Sequence, residues 1–428
     1  MSSHHDLKPE VLRRFLRYVQ LDTQSDPRAE CYPSTPKQLE MLSLLADELR
    51  ALDVPDVRHD EFGYVMARLP STLKAARGKK DEVPAVGFLA HVDTSPDVSG
   101  TNVKPQVIER YDGGVITLPA APDERLDPKE LPDLNDCKGH SLVTSDGTTL
   151  LGADDKSGVA VIMTMAAYLM AHPEIEHGPI VIGFTPDEEI GRGTEHFDLE
   201  RFGARYAYTL DGSRAGSIEQ ETFSGDAAEV IIEGRSQHPG YAKGMMVNAI
   251  KLAAEYVTRL PKNRLSPETT DGREGYVHPT TIQGTVERAV IQFILRDFDD
   301  AKLFGHREVL KQIATEVARL DERAMVRVEF SESYRNMRAA LSTVPFVVTY
   351  AEEAIRRVGL KPFLEPIRGG TDGSRLTALG LPTPNLFTGS HNYHSRREWA
   401  DVDEMAQAVL MLVELAKVWG EHGADPRA

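Results

Sequence analysis

Two kinds of hydrophobic pattern alternate along the chain. Residues 8–19 and 35–52 place apolar side chains at helical spacing, which predicts an amphipathic helix over each. Residues 84–90, 179–184 and 206–210 are instead short apolar runs, the pattern of buried strands. Residues 154–171 open on charged positions and then become almost wholly apolar, predicting a loop that feeds a buried helix. Strands alternating with helices indicate an α/β layer structure.

After about residue 222 the texture changes. Residues 228–233 read as a strand, 248–260 as a helix, 280–287 and 289–297 as two strands, 300–320 as a long amphipathic helix, and 325–332 as a last alternating strand. The order β-α-β-β-α-β is that of a ferredoxin-like unit. Beyond residue 334 the α/β texture returns. We therefore expect a larger α/β domain over 1–222 and 335–428, with a mixed sheet flanked by helices, interrupted by an inserted α+β domain over 223–334. A chain of 428 residues exceeds one ordinary domain, which agrees with this division.

Composition narrows the function. The chain is 41% hydrophobic and 27% charged, a globular balance. Its most apolar uncharged stretch, residues 157–171, is shorter than the ~18 apolar residues that suggest a membrane span, and Pro173 follows it. A formal net charge of −17 argues against a nucleic-acid backbone or an anionic membrane as partner, since both repel an acidic surface. Cys31 and Cys137 form no CxxC pair, so neither a disulfide framework nor a thiolate metal site is expected. Residues 1–6 are polar and lack the apolar core of a secretion signal, which points to a reducing cytoplasm.

Candidate chemistry gathers at the ends of the predicted strands. One delivers His91 and Asp93, another Glu188 and Glu189, a third Asp211; Asp154 and Asp155 open the apolar helix. In open α/β sheets, sites form beyond the carboxyl ends of strands. Converging imidazoles and carboxylates there suit a divalent cation. Each feature alone has a plain alternative: a surface His-x-Asp pair, a solvated acidic turn, or an Asp capping a helix. His391 and His394 are rival loop histidines. It is the joint pattern, from scattered positions, that independent accidents explain poorly. Phosphate-loop, HExxH and GxSxG patterns are absent, and Gly369–Gly373 lacks dinucleotide-fingerprint spacing.

The segments His91-Val-Asp-Thr-Ser-Pro-Asp97, Leu151-Gly-Ala-Asp-Asp-Lys156, Phe184-Thr-Pro-Asp-Glu-Glu189, Tyr208-Thr-Leu-Asp211, His238-Pro-Gly-Tyr-Ala-Lys-Gly244, Arg296-Asp-Phe-Asp299, Ile367-Arg-Gly-Gly-Thr-Asp-Gly373 and Pro384-Asn-Leu-Phe-Thr-Gly389 occur in order over nearly the whole chain. Together they resemble the peptidase T family of tripeptide aminopeptidases, within the aminoacylase and glutamate-carboxypeptidase superfamily of zinc peptidases. The resemblance implies a catalytic domain with an inserted lid, and hydrolysis of the N-terminal residue of short peptides. It implies two zinc ions, replaceable by cobalt or manganese: Asp154 bridging, His91 and Asp211 completing one site, Glu189 and His394 the other. Asp154 rather than Asp155 fits the superfamily's Asp-x-Lys, and His394 fits its Asn-Tyr-His. Asp93 would orient His91, and Glu188 would be the general base. His238, Asn248, Arg296 and Arg368 would contact substrate, the arginines gripping the terminal carboxylate. The inserted domain is also where relatives dimerise, so a homodimer is implied. Ser395-Arg396-Arg397 replaces the Gly-Lys-His that usually follows the family's Asn-Tyr-His, and Ser213-Arg214 stands where a glycine run is common; both alter the rim of the pocket rather than a ligand. Three rivals remain: a dipeptidase, carboxypeptidase or N-acyl amino-acid deacylase of the same superfamily; a non-catalytic metal-binding protein; and structural calcium sites, which the histidines oppose because calcium takes oxygen ligands.

Overall fold

In the computed structural model, which describes residues 4–74 and 83–423, the apolar runs become the middle of a sheet. The polar start at residues 1–3 lies outside the described residues. The chain divides into two compact units, one of residues 1–220, 339–365 and 371–428, the other of residues 221–338 and 366–370.

The first unit is built on an eight-stranded mixed sheet. Its order is Arg58–His59, Val65–Leu69, Ile180–Thr185, Val86–His91, Tyr206–Gly212, Asn385–Phe387, Ser217–Thr222 and Phe363–Ile367. Val86–His91 runs parallel to both of its neighbours, and Asn385–Phe387 parallel to Tyr206–Gly212. Alternate side chains leave on opposite faces, and both faces are covered, which is why these strands read as continuous apolar runs. Ala67, Phe88, Ile182, Phe184, Tyr208 and Leu210 join the main core; Met66, Leu89, Val181 and Ala207 pack with Phe202, Leu376 and Leu381 in a second.

The helix Ala153–Ala171 lies on the main-core side against Val86–His91 and Tyr206–Gly212. His4–Tyr18 and Val402–His422 flank it, and Phe346–Arg357 packs on Val402–His422. Val159, Val161, Ile162, Met163 and Met165 are fully buried, each worth ~1.5–3 kcal/mol of transfer free energy. Gly158 is the point of closest approach: a Cβ there would lie 1.9 Å from the carbonyl oxygen of Leu210 and 2.4 Å from Asp155 Oδ1. Gly158→Ala is therefore expected to cost ~3 kcal/mol by overpacking, read as a lowered thermal midpoint; an unchanged midpoint would show that this contact is not tight.

Residues 8–19 and 35–52 are helical as His4–Tyr18 and Lys37–Ala51. Several strands have no counterpart in the sequence reading. Ser390–His391, Trp399–Asp401, Leu142–Thr144 and Gln106–Ile108 form a small sheet over a separate core that contains Tyr111, Leu118, Leu126, Leu134 and Trp399. At two or three residues each, they are too short to show a period.

The second unit is a four-stranded antiparallel sheet in the order Tyr276–Gly284, Arg288–Asp297, Ser224–Glu233 and Met325–Tyr334. Ala249–Thr258 and Asp300–Ala318 pack on it around Val230, Ile232, Tyr256, Ile291, Phe293 and Leu310. This is the ferredoxin-like arrangement. The strand expected at 280–287 begins earlier, at Tyr276, and carries Pro279 beside a register shift. The strand lies at the sheet edge, where a residue without an N–H is tolerated.

Among the described residues, no helix is long and apolar enough to cross a membrane.

Candidate metal centre

The parallel strands Val86–His91, Ile180–Thr185 and Tyr206–Gly212 end together, with His91 in register with Thr185. His91 closes its strand, Asp211 is the last residue but one of its own, and Glu188 and Glu189 follow the third. The helix start brings Asp154, whose backbone is not yet helical (φ −82°, ψ 106°) and whose peptide to Asp155 is cis.

The side chains meet on Asp154. Its Oδ1 lies 3.0 Å from His91 Nε2, and its Oδ2 lies 3.4 Å from His394 Nε2. His91 Nε2 is also 3.8 Å from Asp211 Oδ1, and His394 Nε2 is 2.8 Å from Glu189 Oε2. Two imidazole–carboxylate sets thus share one carboxylate. Glu188 Oε2 is 3.9 Å from His91 Nε2, on the edge of the same cluster. His91 with Asp154 and Glu189, and His91 with Asp155 and Asp211, each place a ligand atom from every member within 4.8 Å of the others.

Asp155, though near His91 and Asp211, uses both oxygens on the backbone. Its Oδ2 accepts the His91 backbone N–H (3.3 Å) and its Oδ1 that of Gly158 (3.2 Å), bracing strand end and helix start. His391 is buried face to face with Trp399 and approaches Glu404 at 3.3 Å, so it belongs to a different cluster from His394. His394 itself sits in the left-handed region, φ 53°.

Asp93 has two tasks. Its backbone carbonyl accepts from His91 Nδ1 (3.0 Å), which puts the proton on that nitrogen and turns Nε2 toward the carboxylates. Its carboxylate lies 3.4 Å from His91 Nδ1 and accepts the backbone N–H groups of Glu188 (3.0 Å) and Glu189 (3.2 Å). The sequence reading anticipated a link to His91; the grip on the Glu188–Glu189 turn is additional. That turn is held from its other side by Asp187 (φ 58°), which accepts from the Ser34 N–H and Gln38 Nε2, both at 2.6 Å. Ser34 and Gln38 lie far away in sequence, and no local motif marks them. A further residue was missed: the buried Glu398 carboxylate accepts three backbone N–H groups of the loop that carries Asp154. Lys156, fully buried, donates to the Leu21 carbonyl at 2.7 Å, and burial pulls its ammonium down to about 8.

The electrostatics are those of crowded carboxylates. Burial pushes Glu189 up to about 8 and Asp211 up to about 7, and the neighbouring charge of Asp154 adds to each shift. Burial likewise holds Glu188 well above the usual carboxylate range, with the charges of Asp211, Asp372 and Glu189 contributing. Burial opposes charge on both histidines, but the surrounding carboxylates prevail. Asp154, Asp211 and Asp93 hold His91 well above the ordinary imidazole value, and Asp154 and Glu189 hold His394 up at about 12. The cluster therefore calls for positive charge. Two imidazoles and three carboxylates form a nitrogen–oxygen donor set of the kind zinc accepts. Glu189 Oε1 is buried and makes no hydrogen bond, which leaves an acceptor for a cation. By contrast, the group of His140, Asp401 and Asp403 is already compensated: Lys8 Nζ reaches Asp403 at 2.6 Å, and Asp401 caps the last helix.

The four residues expected to bind substrate all belong to the second unit, and each has partners there. His238 Nδ1 accepts from the Gly240 N–H, and Asn248 Oδ1 caps Ala249–Thr258. Arg296 Nη1 donates to the carbonyls of Asp226 and Leu295, and the guanidinium stacks on Tyr334. Arg368 donates to the carbonyls of Gly272, Glu274 and Thr270 and stacks on Phe223.

The chain belongs to peptidase family M20/M25/M40, whose profile matches residues 131–418. It is thus a peptidase by fold and family. Within that family its kin are the peptidase T enzymes. It is 47% identical over 413 residues to peptidase T of Geobacillus thermodenitrificans, covering 96% of this chain and 99% of that protein. It is 46% identical over 411 residues to peptidase T of Bacillus subtilis, covering 96% and 98%. The crystal structure of aminopeptidase PepT from Bacillus cereus is similar with a TM-score of 0.70 at 25% identity, covering 96% of this chain and 98% of that one.

Proposed function

We propose that this peptidase uses two metal ions, zinc by preference and cobalt or manganese as substitutes, to remove the N-terminal residue from short peptides, chiefly tripeptides. The observation that carries the reading is the sharing of Asp154, with one carboxylate oxygen toward His91 and the other toward His394. Asp154 would bridge the ions, His91 and Asp211 would complete one site, and Glu189 and His394 the other. The names of the similar proteins, peptidase T and aminopeptidase, favour attack at the peptide's N-terminal residue.

These five residues would hold the cations, which when bound would supply Lewis acidity for the scissile carbonyl and for water. The protein's own task is to move protons and hold geometry. Glu188 takes a proton from the attacking water and passes it to the departing amine. Its place at the edge of the cluster, with Oε2 3.9 Å from His91 Nε2, suits a group that exchanges a proton with water there. Asp93 keeps Glu188, Glu189 and His91 in register through the bonds described above. In this reading the second unit supplies substrate contacts. His238 would meet the developing oxyanion and Asn248 would line the site. Arg296 and Arg368 would grip the terminal carboxylate; Arg296 uses only Nη1 in its carbonyl bonds, which leaves the rest of its fork for that task. Two free cysteines, Cys31 exposed and Cys137 buried, are consistent with work in a reducing cytoplasm.

The test is a panel of Ala-Ala-Ala, Ala-Gly-Gly, Ala-Ala and N-acetylalanine given to the metal-loaded enzyme, with products separated chromatographically. Rapid release of alanine and Ala-Ala from Ala-Ala-Ala is expected, and from Ala-Gly-Gly release of alanine; release of glycine from Ala-Gly-Gly instead would make the enzyme a carboxypeptidase. Preference for the acetylated amino acid or the dipeptide would replace this reading with a deacylase or dipeptidase one.

A further inference from the structure

Glu398 lies 1% exposed, immediately before the strand Trp399–Asp401. Its Oε2 accepts the backbone N–H groups of Leu151 (2.7 Å) and Gly152 (2.8 Å), and its Oε1 accepts that of Asp154 (3.0 Å). A helix start leaves its first N–H groups without helical acceptors. Here the need is greater, because Gly152 is left-handed (φ 80°) and Asp154 is extended. No Ncap side chain serves this helix, since Gly152 has none. One buried carboxylate fills the role, its two oxygens accepting all three N–H groups.

The position of Glu398 makes this more than a cap. Fixing the N–H of Asp154 fixes the direction in which its side chain leaves the backbone, and so where its two oxygens point. Glu398 also ends the loop that begins after His391 and carries His394. Within that loop Asn392 Nδ2 donates to Ser395 Oγ (2.7 Å) and to the Arg397 carbonyl (3.0 Å), and the Glu398 N–H donates to the Ser395 carbonyl (3.3 Å). The loop is therefore stiff between His394 and Glu398. A stiff loop anchored at one end on the Asp154 loop holds His394 at a set distance from Asp154. His91 and Asp211, by contrast, are carried by strands of the central sheet and do not depend on this anchor.

We propose that Glu398 is the positioning residue that ties the His394 loop to the Asp154 loop, and that it sets the metal affinity of the Glu189–His394 site above all. The inference rests on the two-metal reading given above. The carboxylate works through the backbone and touches neither substrate nor reacting atoms. Its amide counterpart cannot do the same work: glutamine keeps the shape but must turn an NH2 toward a backbone N–H.

The experiment is a calorimetric titration of chelator-stripped protein with Zn2+, comparing wild type, Glu398→Gln and Glu398→Asp. It is paired with the thermal midpoint of each stripped protein and the visible absorption of its Co2+ form. Loss of such an outer partner typically weakens metal binding 10–100-fold. In Glu398→Gln one of the two binding events is expected to fall by ~10–100-fold, with the other changed far less and the Co2+ bands of one site altered. Glu398→Asp keeps both acceptor oxygens and is expected to lie between the two. Wild-type affinity at both sites in the glutamine variant would overturn the inference and leave the two-metal reading standing. An equal loss at both sites, or a fall in the metal-free midpoint with binding unchanged, would also overturn it, showing a purely structural carboxylate. A wild type that binds no second ion would sink the two-metal reading itself, and this inference with it.

Discussion

Replacing Glu188 with glutamine is expected to leave two metal ions bound and to lower tripeptide turnover by ~10²–10⁴-fold, the range that a positioned acid–base group contributes. The glutamine keeps the length of the side chain and can still rest at the edge of the cluster, where Glu188 Oε2 now sits 3.9 Å from His91 Nε2. The backbone of the turn should not move, because its hold on Asp93 runs through the N–H groups of residues 188 and 189. What is lost is the ability to accept a proton. The loss should appear in kcat, with KM little changed, because the account gives Glu188 no part in binding the peptide. Near wild-type turnover by this variant would refute the assignment of the base. Loss of metal along with activity would instead make Glu188 a ligand.

Asp154→Asn is expected to act on the metal itself. Asp154 presents one oxygen toward each imidazole, 3.0 Å from His91 and 3.4 Å from His394. Asparagine offers one neutral oxygen and an NH2 that cannot ligate, so it can serve at most one side. Residues outside the ligand set already cost 10–100-fold in affinity or activity when lost. A shared ligand should cost more than ~100-fold in tripeptide turnover, and metal content measured by plasma emission should fall to one ion per chain or fewer. Asp155→Asn tests the neighbour. Asp155 accepts the N–H groups of His91 and Gly158, so its variant should retain both ions while losing stability. If the two substitutions behave alike, the distinction between the adjacent aspartates is wrong.

Those adjacent aspartates show where sequence reasoning reached its limit. The apolar runs made the central strands legible, and the abrupt polar residues after each run marked where chemistry would gather. Residue types alone could not separate Asp154 from Asp155, since both open the same helix; only the family's Asp-x-Lys pattern favoured Asp154. What separates them is a backbone that is not yet helical at this point and sends one carboxylate toward the imidazoles and the other back toward the strand end. His391 and His394 were alike by residue type, and only the family's Asn-Tyr-His pattern favoured His394; in the structure His391 stacks on Trp399, away from the cluster. Asp93 was noticed for its spacing from His91, but its carboxylate's grip on Glu188 and Glu189 spans the gap between two strands and leaves no local pattern. Ser34, Gln38 and Glu398 were invisible for the same reason: their partners lie far off in the chain, 247 residues away for Glu398 and Leu151.

The inserted unit was legible by its alternation, because a sheet with helices on one face keeps a period of two in strands such as Arg288–Asp297. Its edge strand, expected at 280–287, lies at Tyr276–Gly284 and contains Pro279, which a sheet edge tolerates. The expected roles of Arg296 and Arg368 rest on chemistry alone. In their own unit both guanidiniums already serve backbone carbonyls, and Arg368 commits more of its donors than Arg296.

The central claim is that two cations share one carboxylate and that both are needed to cut a peptide. It is tested most directly by stripping the enzyme with a chelator and restoring Zn2+ stepwise while release of alanine from Ala-Ala-Ala is followed. The account predicts no hydrolysis by the stripped protein and a rise that reaches its plateau at two equivalents per chain. Full activity at one equivalent, or activity that survives stripping, would contradict it.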